Sequence, residues 1–437
     1  MIDQIKAVST NYTLNEKQRV DRICRIRIEI EDFNDIIAEI SSENNANLIK
    51  QHFLNLTDKG GFSLPKMWKL KQKLNLKGSD PPMAKVDKNG QIITTKQGIL
   101  NLYEAEYKER LAQTNPHKNY DEIQKLKEDL FELRFKIGSN RKTEDWSYGD
   151  LEKICQKLEN NKARDRDGLI YELFKPKNCG SDLIQSMVKM FNQIKNKLII
   201  PKFLQNMSIT SIWKHKGSRS SLSNERGIFN LSRPRVVLDK LIYQDIYDTV
   251  DSNLSCSNAG GRRGRGIRDQ LFIIQGIINE VINGKSKPIC LQSMDVRRCF
   301  DNMNYFETNN DLWDTGVNDN KFSLLSQLDR TCKVVIKTPC GETREITFAD
   351  LILQGSVFGS LKCSVQVDTL GREVLSDSEG MGVFTYKDSV EVPPICIVDD
   401  IIGISECNLK KIELNALINS KVESKTLELN QEKCFTY

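Results

Sequence analysis

Residues 393–405 read Pro-Pro-Ile-Cys-Ile-Val-Asp-Asp-Ile-Ile-Gly-Ile-Ser, an Asp-Asp pair set between two β-rich apolar runs. This pattern predicts a hairpin with both acids at its tip. Adjacent carboxylates bracketed by apolar residues cannot be plain core, because unpaired buried charge is too costly. A metal ion would supply the missing positive charge. A third carboxylate is placed in the same way upstream, where Pro-Ile-Cys-Leu-Gln-Ser-Met runs into Asp295 and the chain turns towards Phe300 and Asp301. Asp295 and Asp399 on neighbouring strands would hold two Mg²⁺ ions about 3.5–4 Å apart, the clamp used for in-line phosphoryl displacement. Mg²⁺ takes few carboxylates and completes its shell with phosphate oxygens and water, which suits a nucleoside triphosphate as co-ligand. Between these acids lies Leu-Gln-Gly-Ser-Val-Phe-Gly-Ser-Leu, 353–361. Gly355 and Gly359 would let the backbone approach a base or sugar, and Gln354 offers an amide donor and acceptor.

The chain has room for two or three domains at roughly 150 residues each. No run of 18 apolar residues suggests a membrane span, and the polar start MIDQIKAVSTNYTLNEKQ lacks the apolar stretch of a secretory signal. An intracellular protein, nuclear or cytoplasmic and not secreted, is therefore expected. Twelve cysteines show no C-x-x-C pair and no zinc-like spacing, so they are expected to be reduced and to act as small hydrophobes. The three histidines, His52, His117 and His215, stand far apart and nominate no triad. A net charge of +5 does not by itself announce a nucleic-acid binder. Basic density is nevertheless high in 66–73 and in Gly-Gly-Arg-Arg-Gly-Arg-Gly-Ile-Arg, 260–268, and such clusters can track phosphates.

Helical periodicity runs through 14–56 (Ile23, Ile26, Ile30, Phe33, Ile37, Ile40), around Lys96–Leu111, and over Glu122–Phe135, the last ending before Gly138. Glu104/Lys108 and Glu106/Arg110 suggest an exposed face on the second of these. Gly78-Ser79-Asp80-Pro81-Pro82 is a breaker, and Asp87-Lys88-Asn89-Gly90 reads as a turn between two short extended pieces. From about Trp146 helices alternate with short apolar strands, the texture of an α/β or α+β domain.

Taken together, these elements resemble the palm motifs of reverse transcriptases of LINE-type (non-LTR) retrotransposons. Asp295-Val296-Arg297-Arg298-Cys299-Phe300-Asp301 is similar to the first motif, D-x-x-x-x-F-D. Gln354-Gly355-Ser356 through Ser360-Leu361 resembles the second, and Val398-Asp399-Asp400 the third. Upstream, 212–228 resembles the K-x-K-G-S…N-Y-R-G-I stretch of these elements. Residues 161–169 resemble N-K-A-x-G-x-D-G-I, 259–270 resemble Q-x-G-F-R-x-G-R-x-x-x-D-Q, and Leu429-Asn430-Gln431-Glu432-Lys433 resembles the motif after the hairpin. Trp68–Leu111 is similar, less specifically, to the region before the polymerase.

The resemblance implies an α+β right-hand polymerase, fingers and antiparallel palm sheet in 146–437, preceded by a helical N-terminal extension in 1–145. It implies an RNA-directed DNA polymerase acting in retrotransposition, with RNA template, DNA primer and dNTPs as partners, Mg²⁺ as cofactor (Mn²⁺ as a substitute), and no membrane. Asp295, Asp399 and Asp400 would hold the metals. Phe300 would stack beneath the sugar and exclude a 2′-OH. Gln354 and Gly355 would contact nucleotide or template, Arg226 with Lys214 or Lys216 would clamp the triphosphate, and Lys433 would protonate the leaving group. The sequence departs from the pattern at Ile397, where Tyr or Phe is usual, at Glu225 for Tyr, at Gly260-Gly261, and at Gly359. It ends four residues after Lys433, so a thumb is not expected; the helical start leaves too few residues for an endonuclease, and the chain reads as a retroelement fragment or a domesticated or decaying copy. A viral RNA-dependent RNA polymerase is disfavoured by Phe300 and Val398. A non-catalytic nucleic-acid-binding module is the alternative from another class.

Overall fold

The computed structural model describes residues 84–111, 120–285, 287–297, 299–377, 385–386, 390–398, 400–406, 408–425 and 427–436. The expected helix of 14–56, the Gly78–Pro82 breaker and the 66–73 basic run lie outside them, as do Asp399, His52 and His117.

The elements run β1 (Lys85–Val86), β2 (Ile92–Ile93), α1 (Lys96–Leu111), α2 (Tyr120–Asn140), α3 (Tyr148–Gln156), α4 (Pro176–Lys197), α5 (Lys202–Gln205), β3 (Asn206–Trp213), β4 (Glu225–Leu231), α6 (Arg233–Asn253) and α7 (Ile267–Ile282). They continue with β5 (Cys290–Asp295), α8 (Cys299–Asn302), α9 (Tyr305–Asp314), α10 (Asn320–Arg330), β6 (Thr331–Thr338), β7 (Gly341–Glu342), β8 (Ile346–Ala349), α11 (Gly359–Asp377), β9 (Thr385–Tyr386), β10 (Val390–Glu391), β11 (Ile395–Ile397), β12 (Asp400–Ser405), α12 (Asn408–Ser424) and β13 (Phe435–Thr436). The chain is a mixed α+β protein.

It divides into two compact units. The smaller takes in Met1–Tyr107, Ser211–Gly227 and Ile336–Arg344; the larger takes in Lys108–Thr210, Ile228–Val335 and Glu345–Tyr437.

In the smaller unit, β1 and β2 pair antiparallel around the expected turn. Asp87 Oδ1 accepts from the Asn89 and Gln91 amides, and Gly90 takes φ +78°, a conformation that costs glycine little. Helix α1 has its expected bounds, but Glu104 is buried and pairs with Arg344 at 3.5 Å, so it does not lie on an exposed face.

The larger unit is organised by the four-stranded sheet β11-β12-β5-β13, antiparallel throughout. Alternation gives its two faces different duties. Met294, Cys396 and Ile401 enter the main core, which also holds Phe131, Phe191, Phe322 and Phe358. Ile395 and Ile404 point the other way and form a small second cluster with Ile277 of α7. The expected N-K-A-R-D-R-D-G-L segment forms a tight turn. Asp165 accepts from the Leu169 and Arg233 amides, and Gly168 stands at φ +82°. Helix α2 continues through Gly138 to Asn140, beyond the expected stop. A methyl group at Gly138 would lie 2.8 Å from the Asp319 carbonyl oxygen, so the glycine permits close helix packing here and does not end the helix.

Candidate active site

Asp295 is the last residue of β5 and stands directly opposite Asp400, the first of β12. Strand alternation points Met294 and Ile401 into the core, so the two carboxyl-bearing side chains share the opposite face. Like charges facing each other across a ladder are unfavourable, and a cation would relieve the pair. One cation is already there: Lys433 Nζ lies 3.0 Å from each oxygen of the Asp295 carboxylate. Asn430 Nδ2 donates to the same carboxylate at 3.0 Å, and the Asn430 amide donates to the Asp295 carbonyl. A bridge between Val296 and Leu429 fixes this register. The Leu-Asn-Gln-Glu-Lys segment is thus laid along the end of β5 by backbone bonds, and its amide and ammonium groups converge on one acid.

Ile397 pairs with Asp400, so Val398 opens a tight hairpin connection. Such loops favour φ > 0 at their first position, which glycine or asparagine usually fills. Here Val398 takes it at φ +58°, a strained conformation for a β-branched residue.

What holds the tip is Gly260. The segment 257–260 runs beside β11, with the Cys396 amide donating to the Ser257 carbonyl and the Ala259 amide to the Cys396 carbonyl. A methyl group at Gly260 would sit 2.4 Å from the Val398 nitrogen, and one at Gly261 3.2 Å from Ser360 Cβ. Ser364 Oγ donates to the Gly260 carbonyl. Gly260-Gly261 therefore wedges between the acid hairpin and the start of α11, a role that the sequence reading missed.

The arginines that follow divide. Arg262 is buried on Asp251, Ser255 and Asn258. Arg263 lies 4.0 Å over the Tyr247 ring and 5.3 Å over Tyr243. Arg265 and Arg268 are exposed.

Leu353-Gln354-Gly355-Ser356 forms a turn, with the Ser356 amide donating to the Leu353 carbonyl and Gly355 at φ +93°, the type II position that calls for glycine. The Phe229 amide donates to the Gln354 carbonyl, pinning this turn to β4. Phe300 is half-buried against the main core, and a methyl group at Gly359 would lie 3.6 Å from its ring. Cys299 and Cys363 bring the sulfurs of the first motif and of α11 to 3.5 Å, and no disulfide joins the described cysteines.

The structure thus gathers Asp295, Asp400 and Lys433, and sets Phe300 against the start of α11 beyond Gln354 and Gly355. Lys214, Lys216 and Arg226 belong to the smaller unit, and all three are exposed. The loop carrying them is closed by its own residues. Gly217 (φ +71°) packs against the Asn224 side chain, Asn224 Nδ2 donates to the Ser218 carbonyl, and Arg219 and His215 stack on Trp213. Arg226 points outward because its neighbour Glu225 points inward. Glu225 accepts from Lys85 Nζ at 2.6 Å, from Tyr103 Oη at 3.0 Å and from Ser211 Oγ. Burial, then the Glu225 charge, pushes the Tyr103 phenol well above its ordinary value. Gly227 completes the arrangement, since a methyl group there would meet the Tyr107 ring at 2.5 Å.

Among the described residues no group of three or more His, Cys, Asp or Glu side chains forms a ready metal cage. Asp295 and Asp400 nevertheless fit a hard divalent cation: both are oxygen donors on one face, and one of them already holds a cationic nitrogen. No helix of the described residues is long and apolar enough to cross a membrane. No family model matches the chain, and no curated protein matches it.

Proposed function

We propose that the chain is the fingers and palm of a reverse transcriptase, extending a DNA primer with dNTPs on an RNA template. The observation that carries this reading is the placement of Asp295 opposite Asp400 at the hairpin tip, with Lys433 on Asp295. Asp295, Asp399 and Asp400 would hold Mg²⁺ or Mn²⁺, which supplies the charge that activates the primer 3′-OH and neutralises the triphosphate. The remaining work falls to the chain's own residues. Lys433 carries three protons at the edge of the acid pair and would give one to the pyrophosphate oxygen as its bond to the α-phosphorus breaks. Phe300 would bar a ribose 2′-OH by its bulk. The Gln354-Gly355 turn offers a glycine and an amide towards a base. Arg226, Lys214 and Lys216 are exposed cations suited to phosphate.

A second reading, a nucleic-acid-binding remnant without catalysis, draws support from the same Lys433 contact, because the ammonium already neutralises Asp295.

The test is primer extension by the purified chain on an RNA template with dNTPs and Mg²⁺ or Mn²⁺, beside Asp399→Asn. Extension abolished by the substitution supports the polymerase. RNA binding without extension under either metal, or extension that survives Asp399→Asn, overturns it.

A further inference from the structure

Helix α2 has two apolar faces, and the fold uses one of them. Phe131 is fully buried, with its ring edge-on to Tyr305 and to Phe306 at 5.4 Å centroid distance in both cases. Lys127, Arg134 and Gly138 flank it on the side packed against α9 and α10. The second face is Ile123, Leu126, Leu130, Leu133 and Ile137, spaced 3, 4, 3 and 4 residues apart. The first four are 42–68% exposed. At 3.6 residues per turn this stripe is centred about 120° round the helix from Phe131, so it is not the fringe of the core face. A mean spacing of 3.5 keeps a narrow seam turned towards a second helix along its length, whereas a helix lying on a globular core shows a wider stripe with period 3.6.

We propose that α2 is a dimerisation helix, by which two copies of this chain pair in parallel along the Ile123–Ile137 seam about a two-fold axis. The charges beside the seam name the partner as a second copy. On one side of the stripe stand Glu122 and Asp129, both exposed. On the other stand Lys127 and Arg134. In a parallel pair each residue just before a seam position faces the residue five further along on the other helix. Glu122 then meets Lys127, and Asp129 meets Arg134, each twice by symmetry. An antiparallel pair would instead set Lys127 beside Arg134 and Asp129 beside its own copy, like charge against like, with only Glu122 beside Lys136 to offset them.

The basic side chains are mostly buried and already bonded within their own chain, so the partner's acids would join existing pairs. Lys127 Nζ is 2.6 Å from Glu307, and Arg134 is 2.7 Å from Asp314. Two heptads are too short to hold isolated peptides together. Core packing already orders α2, so pairing has to immobilise only the seam side chains.

Sedimentation equilibrium of the full chain tests this. The expected result is twice the single-chain mass, returning to the single-chain mass in Leu126→Lys/Leu133→Lys with the far-ultraviolet circular dichroism spectrum unchanged. Orientation is read with Leu126→Cys under mild oxidation and peptide mass spectrometry, where a disulfide joining position 126 to position 126 is expected. A wild-type chain of single mass at tens of micromolar overturns the proposal, as does a dimer that survives the double lysine variant. In Leu126→Cys/Leu133→Cys, a disulfide joining position 126 of one chain to position 133 of the other overturns the parallel arrangement. None of these outcomes depends on the polymerase reading.

Discussion

Two lysine–carboxylate pairs in this molecule have the same chemistry and opposite surroundings. Lys85–Glu225 closes to 2.6 Å with side chains 1% and 8% exposed, inside the smaller unit. Lys433–Asp295 closes to 3.0 Å with side chains 57% and 17% exposed, at the end of a sheet in the larger one. Among the described residues three side chains donate to Glu225, and it is shut away from water. Its pair is architecture, and its consequence for function is indirect: it turns Arg226 outward. Lys433 can leave Asp295 at little cost, because water will take up the ammonium. A dry pair fixes a strand; a half-wet pair beside a second carboxylate is an exchangeable one.

The largest effect expected from this contrast is on stability. Glu225→Ala leaves Lys85 buried and uncompensated and is expected to cost about 3–5 kcal/mol in chemical denaturation. A loss below about 1 kcal/mol would make the two pairs equivalent and break the comparison.

Next comes Gly260→Ala. Its methyl group must displace Val398, so it is expected to cost about 1–3 kcal/mol by overpacking. It should also weaken Mn²⁺ binding, measured by titration, because the acid hairpin moves. Unchanged binding would show that the tip tolerates the shift.

The Lys425 cluster sharpens the comparison from a third position. Lys425 is buried among Glu307, Asp311 and Glu373, one acid more than it needs together with Lys127 on Glu307. Burial, only partly opposed by Lys425, pushes the Asp311 carboxyl up to about 7. Its folded value lies above the ordinary 3.8, so the stability it favours is present at low pH and is lost as pH rises from about 4 through 7. Asp311→Asn is therefore expected to raise the melting temperature at pH 8 by about 2–4 °C, with the gain shrinking as pH falls towards 4. A gain that is constant with pH would place the cause elsewhere.

Asp295, Asp400, the hairpin and the Leu-Asn-x-x-Lys segment were legible in the sequence because strand alternation and acids set among apolar residues leave a local mark. The partners were not. Lys85 reaches Glu225 across 140 residues, and Gly260 is set against Val398 by backbone bonds of Ser257 and Ala259 to Cys396. Gly138 was misread as a helix stop for the same reason: the atoms that demand a glycine there belong to α10 and its cap. Local pattern announced charge and strand ends, and only folding showed which charges are spoken for.

The smallest stability effect is expected at Lys433. Lys433→Gln should change unfolding free energy by less than about 1 kcal/mol. The most direct test of the acid site is to titrate Mn²⁺ into the wild-type chain, Lys433→Gln and Asp295→Asn, following the metal by electron paramagnetic resonance. The account predicts binding by the wild type, tighter binding once the competing ammonium is gone, and loss of binding in Asp295→Asn. Binding indifferent to Asp295→Asn, or no binding by the wild type and Lys433→Gln alike, would contradict it.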